Sequence, residues 1–127
     1  MSEIQLEHVN ITVSAPEKTA AWMERLFGWH VRWKGPATSE GFTIHVGTKK
    51  HYVALYAPSE PARPQESSYR AVGDLNHLAV VVDDLEAVHD GAKAEGFKIG
   101  AHYDYEPGRR FYFYDHDGIE VEVVSYG

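Results

Sequence analysis

Two stretches of the chain carry the same uncommon pattern: a leucine, a histidine two places on, then a run of β-branched and apolar residues. The first is Leu6-Glu7-His8-Val9-Asn10-Ile11-Thr12-Val13 and the second Leu75-Asn76-His77-Leu78-Ala79-Val80-Val81-Val82, with their histidines 69 residues apart. Each reads as a strand, over residues 5–13 and 75–82. In the first, alternation puts Leu6, His8, Asn10 and Thr12 on one face and Val9, Ile11 and Val13 on the other.

A helix is expected after each strand, covering the β-branched face. Pro16 suits a first helical turn and Glu17 the positive end of its dipole. Trp22 with Leu26 and Met23 with Phe27 form an apolar stripe at i, i+4 spacing, and Gly28 is the natural stop. In the second half Asp83, with Glu86 three residues on, resembles a capping box, Leu85, Val88 and Ala92 make the stripe, and Gly96 ends it. Three short strands follow each helix, predicted at 29–33, 41–47 and 51–57 and again at 98–103, 111–114 and 119–125. The last two are joined by the turn Asp115-His116-Asp117-Gly118. The pattern predicts an α+β chain with the order β-α-β-β-β twice. Module one covers about 4–57 and module two about 75–126. Pro58, Pro61 and Pro64 break up the connector between them, 58–74.

Length and composition fit this reading. A chain of 127 residues, 43% hydrophobic and 24% charged, suits one folded domain over 1–127. A formal charge of −7 with no basic cluster beyond Lys49-Lys50 and Arg109-Arg110 argues against nucleic acid as a partner. The chain has no cysteine, so disulfides and thiolate metal sites are excluded and any metal must use His, Asp or Glu. No apolar stretch reaches membrane-spanning length and the first residues are not a leader, so a soluble cytoplasmic protein is expected.

Strand parity then gathers the polar residues. If the β-branched faces lie under the helices, the opposite faces carry His8, Asn10, Tyr52, Ala54, Tyr56, His77, Ala79, Glu120 and Glu122, with His45 also a candidate for a pocket there. Two carboxylates in an apolar strand are costly to bury without a cation or donors. Two histidines and a carboxylate around an open coordination sphere suit a divalent ion: Fe, Mn, Zn, Ni or Co. Spacing alone does not choose between Glu120 and Glu122, which point the same way.

The chain resembles the vicinal oxygen chelate superfamily, which includes glyoxalase I, methylmalonyl-CoA epimerase, fosfomycin resistance proteins, extradiol dioxygenases and bleomycin-binding proteins. The resemblance runs over essentially the whole chain. It rests on Leu6-Glu7-His8-Val9, on the run Asn76-His77-Leu78-Ala79-Val80-Val81-Val82-Asp83-Asp84-Leu85, and on Phe111-Tyr112-Phe113-Tyr114-Asp115-His116-Asp117-Gly118-Ile119-Glu120-Val121-Glu122. It implies tandem modules forming a cupped, mostly antiparallel sheet with helices outside. It also implies a metal held by His8, His77 and Glu122, with Tyr112 where fosfomycin resistance proteins and extradiol dioxygenases carry an active-site tyrosine. The family's fourth ligand falls on Ala54, a departure from glyoxalase I and the epimerase. The further histidines of extradiol dioxygenases have no matching position; His102 is out of place by about one residue.

Each of these residues also has a plainer reading. Glu120 is either a group supporting a ligand or an exposed strand end, and Tyr112 either a hydrogen-bond donor to substrate or a packing residue. Asn10, His45, Tyr52 and Tyr56 are pocket candidates by parity. Arg109 and Arg110 either clamp an anionic substrate or lie in a solvated loop. The leading expectation is a divalent-metal-dependent glyoxalase/dioxygenase-type enzyme acting on a small substrate that offers two oxygens, in a homodimer. The alternatives are a metal-free drug- or metabolite-binding protein of the bleomycin-resistance kind and a fosfomycin-resistance-type transferase.

Overall fold

The computed structural model describes residues 3–64, 68–105 and 107–127. The chain divides into two compact units, Met1–Arg63 and Pro64–Gly127.

In the first unit, β1 (His8–Thr12) leads into α1 (Pro16–Phe27), followed by β2 (His30–Pro36), β3 (Phe42–Gly47) and β4 (Tyr52–Ala57). The four strands form one sheet in the order β1-β4-β3-β2, with β1 parallel to β4 and the other neighbours antiparallel. α1 starts at Pro16 and ends at Gly28, whose φ of 71° is a left-handed cap that glycine reaches without steric cost. The helix buries Thr19, Ala20, Trp22 and Met23 against β3 and β4, where Ile44, Val46 and Leu55 are fully buried.

The second unit repeats the plan with β5 (Leu78–Val81), α2 (Leu85–Ala94), β6 (Lys98–Tyr105), β7 (Gly108–Tyr114) and β8 (Glu120–Ser125), in the sheet order β5-β8-β7-β6. β5 is parallel to β8 and the rest are antiparallel. Phe111, Phe113, Val121 and Val123 fill the core beneath α2. The expected α+β architecture of two tandem β-α-β-β-β modules is what the chain forms.

Several boundaries differ from the periodicity, each for a local reason. The opening strands are shorter than predicted, and His77 lies one residue before β5. Leu6 and Leu75 are 76% and 40% exposed, and pairing starts only where β4 or β8 lies opposite, at His8 with Tyr52 and at Leu78 with Val121. Asp84, not Asp83, caps α2, its carboxylate accepting from the Ala87 N–H at 3.1 Å. β2 runs through Gly35 to Pro36, which an edge strand tolerates. β6 and β7 extend to Tyr105 and Gly108, so Arg109 and Arg110 are strand residues and not part of a solvated loop. The connector contains one helical turn, Ser68–Arg70, while its residues 65–67 lie outside the described residues.

Candidate metal centre

The registers show how the repeat distributes chemistry. His8 opposes Tyr52 and Asn10 opposes Ala54 in the first unit, and Ala79 opposes Glu122 in the second. Across the next ladder His45 opposes Ala54, and Tyr112 opposes Glu122. Counting along the strands, Ala54 is therefore the counterpart of Glu122, Tyr52 of Glu120 and His45 of Tyr112.

In the second unit the carboxylates converge on His77. Its Nε2 lies 3.1 Å from Glu122 Oε1, and its Nδ1 lies 3.2 Å from Glu120 Oε2 and 3.3 Å from the Tyr69 hydroxyl. The same hydroxyl donates to Glu120 Oε2. Arg110 donates to the other Glu122 oxygen at 2.8 Å, and both side chains are largely buried. The Tyr112 ring meets His77 edge-on at 5.7 Å. Burial first, and then the Glu122 charge, push the Tyr112 phenol above its ordinary value, so it remains a proton-bearing donor. Tyr69 is pushed up to about 12, mainly by its hydrogen bond to Glu120.

In the first unit the same sheet face is aromatic. Tyr52, His8 and His45 form a cluster of near-parallel rings, Tyr52 lying 4.7 Å from His8 and 4.5 Å from His45 with the two histidines 6.4 Å apart, and Trp33 packs on His45 at 5.3 Å. The Arg32 guanidinium sits 4.4 Å over the Tyr52 ring. His8 Nδ1 is 2.9 Å from Glu7 Oε1, which leaves its Nε2 as the nitrogen open to a ligand. The hydrogen bond from His8 is the main cause holding Glu7 below the ordinary carboxylate value. Burial, then the nearby His8, lowers His45, keeping it neutral near neutral pH. Ala54 is buried, Asn10 is exposed, and Tyr56 turns its hydroxyl to the Thr38 carbonyl at 3.1 Å.

Within module two, then, the structure brings together His77, Glu120, Glu122 and Tyr112. Within module one it brings together His8, His45 and Tyr52, while Tyr56 is tied to a neighbouring turn. Sequence reasoning missed Arg110 as the partner of Glu122, although Arg110 has the strand parity of Tyr112. It also missed Tyr69, for which an irregular connector offers no periodic signal. His102 opposes Phe111 in register and packs with His89 on the helix side of the sheet, facing away from Glu122.

Among the described residues no group of three or more His, Cys, Asp or Glu is arranged to hold a metal ion. The donors of module two nonetheless suit one. In an octahedral site, ligand atoms about 2.1 Å from a divalent ion stand about 3 Å apart, a spacing that His77 Nε2 and Glu122 Oε1 match and that a direct hydrogen bond between them gives as well. The protons agree. At His77 Nδ1 both neighbours act as acceptors, because Glu120 is a carboxylate and the Tyr69 proton goes to Glu120. Nδ1 therefore carries a hydrogen, and Nε2 faces a carboxylate oxygen, a contact that calls for a cation or a proton between them.

A family model for the Glyoxalase/Bleomycin resistance protein/Dioxygenase superfamily matches residues 5–123. The chain belongs to that superfamily. A comparison with curated protein sequences finds no match. Solved structures of similar fold include a glyoxylase/bleomycin resistance protein/dioxygenase domain from Frankia sp. EAN1pec, at 18% identity and a TM-score of 0.83, covering 99% of this chain and 94% of that one. A variant of the fosfomycin resistance protein FosX from Listeria monocytogenes, complexed with Mn(II) and 1S,2S-dihydroxypropylphosphonic acid, shares 20% identity at a TM-score of 0.75, covering 97% and 93% of the two chains. TioX from Micromonospora sp. ML1 also shares 20%, at a TM-score of 0.68, covering 97% and 99%. At these identities the likeness is one of fold. No helix among the described residues is long and apolar enough to cross a membrane.

Proposed function

We propose that the protein is a divalent-metal-dependent enzyme that binds a small substrate through two of its oxygens and carries out Lewis-acid chemistry of the glyoxalase type. The observation that carries this reading is the facing pair His77 Nε2 and Glu122 Oε1, 3.1 Å apart, with Glu122 largely buried and His77 partly exposed. His8 is the third ligand in this proposal, supported by its place in the repeat and its open Nε2. A bound ion would supply stabilisation of a developing oxyanion or enolate on the substrate. Arg110 holds one oxygen of Glu122 and so leaves the other for the site. Tyr112, kept protonated, donates a hydrogen bond to a substrate oxygen at that face. His102, facing the helix side, does not supply the further histidine of an extradiol dioxygenase, which favours the Lewis-acid reaction over dioxygen activation.

A second reading has one observation in its favour: Arg110 already neutralises Glu122, as a metal-free binding protein would require. In that reading the aromatic face of module one receives a flat drug or metabolite. Elemental analysis of protein purified without added metal, repeated on His77→Ala, separates the two. Near-stoichiometric metal in the parent and its loss in the variant are expected, whereas a parent that cannot be loaded supports the metal-free binder. Turnover of a hemithioacetal, set against oxygen uptake with catechols, then tests the reaction class. The proposed assembly is a homodimer, measured by light scattering.

A further inference from the structure

Tyr69 lies in the connector turn Ser68–Arg70 and is 62% exposed, yet its hydroxyl reaches the strand face of its own unit. There it touches two groups, donating to Glu120 Oε2 and lying 3.3 Å from His77 Nδ1. A hydroxyl has one proton to give. With that proton on Glu120, the Tyr69 oxygen faces His77 only as an acceptor, and Glu120, 3.2 Å from the same nitrogen, is an acceptor as well. Both neighbours thus call for a hydrogen on Nδ1.

We propose that Tyr69 and Glu120 are a positioning pair for His77: they hold a proton on Nδ1 and the ring in place, so that Nε2 is the nitrogen turned to Glu122 and to an ion. The inference rests on the metal-centre reading above and adds to it two residues that touch the ligand and not the ion. It gives Glu120 a role distinct from Glu122 although the two share a strand face. Glu120 occupies the place of Tyr52 in the other module, where the matching histidine, His8, takes its Nδ1 contact from the preceding residue, Glu7. Each module therefore supports its histidine with a carboxylate, drawn from a different position. Tyr69 also joins the connector to the site, since the turn that carries it is anchored through this hydroxyl.

Partners of this kind around a metal-bound histidine are worth about 10- to 100-fold in metal affinity. The test measures zinc affinity by chelator competition in the parent, Glu120→Ala, Glu120→Gln and Tyr69→Phe. It also records the imidazole nitrogen and proton signals of His77 in the zinc-loaded protein. Expected are a loss of about 10- to 100-fold for Glu120→Ala and a smaller loss for Glu120→Gln, which keeps an acceptor. Tyr69→Phe is expected to lose affinity in the same direction, and its exposed ring keeps the test independent of folding. The zinc-loaded parent should show a slowly exchanging proton on Nδ1 that exchanges faster in both Glu120→Ala and Tyr69→Phe. Affinities within twofold of the parent in both variants, or zinc on Nδ1, overturn the positioning pair and leave the metal centre standing. A parent that takes up no zinc overturns the metal centre itself, and the pair with it.

Discussion

Module one and module two share strand order, register and helix placement, but differ in which element brings the large aromatic side chains to the core. In module one the helix supplies them: Trp22 is 1% exposed and packs edge-on against Phe27 at 5.3 Å. In module two the sheet supplies them, with Phe111 and Phe113 buried from β7 and Phe97 stacked on Phe113 at 5.7 Å, while α2 buries only Leu85 and Ala92 among its residues. The opposite sheet faces differ in the same ordered way. At matching positions module one has Tyr52, Ala54 and His45 where module two has Glu120, Glu122 and Tyr112. A duplicated scaffold keeps its backbone plan while its core-filling residues move between layers and its open faces take up separate chemistries, one acidic and one aromatic.

The core difference predicts the largest effect. Trp22→Ala removes the main side chain of the module-one core and is expected to cost about 4 kcal/mol. Leu85→Ala in α2, a smaller and less completely buried side chain, is expected to cost about 2 kcal/mol. Urea unfolding of both variants checks this, and equal losses would show that the two helices carry equal shares of their cores.

The site faces predict the next. Glu122→Ala gives module two the residue that module one already has at Ala54, but it leaves the Arg110 guanidinium largely buried without its carboxylate. A loss of about 3 kcal/mol is expected, the usual result of breaking a buried pair from one side. Adding Arg110→Ala to the same chain should recover part of it. If the double variant is no more stable than Glu122→Ala alone, the ion pair is not the reason Glu122 is tolerated there.

The legible part of the sequence was the part governed by period and repetition. The two histidine strands, Pro16 and Gly28 at the ends of α1, and the alternation in β4 and β8 each followed from one local rule, and the structure places them accordingly. Harder to read were features set by what lies across the sheet. The start of β5 depends on where β8 begins, and the length of the β6–β7 ladder depends on the pairing of Arg109 with Asp104 and of Arg110 with Tyr103. Within the candidate site, His77, Glu120 and Glu122 were visible by parity. The role of Arg110 was not, since two adjacent arginines beside a glycine read as a loop until Glu122 and Glu86 are seen to take one each. Tyr69 had no pattern at all, because a turn in a connector has neither a period nor a face.

Those two arginines lead to the smallest expected effect. Each helix carries a glutamate at its second residue, Glu17 in α1 and Glu86 in α2, again 69 positions apart. Glu17 meets Lys34 at 3.3 Å, while Glu86 receives two bonds from Arg109, at 2.8 and 3.2 Å. The Arg109 hydrogen bonds hold Glu86 below the ordinary carboxylate value of 4.5. A carboxyl with a depressed folded value stabilises the fold fully above its unfolded value and loses that contribution as the pH falls through the folded one. Glu86→Gln should therefore melt below the parent at neutral pH by a small margin, the pair being exposed, and the two curves should converge in acid. Glu17→Gln, which breaks one longer contact to a flexible lysine, should give a smaller gap at neutral pH. Melting temperatures of the three proteins across the acid range measure both gaps, and a larger gap for Glu17→Gln would reverse the order of the two tethers.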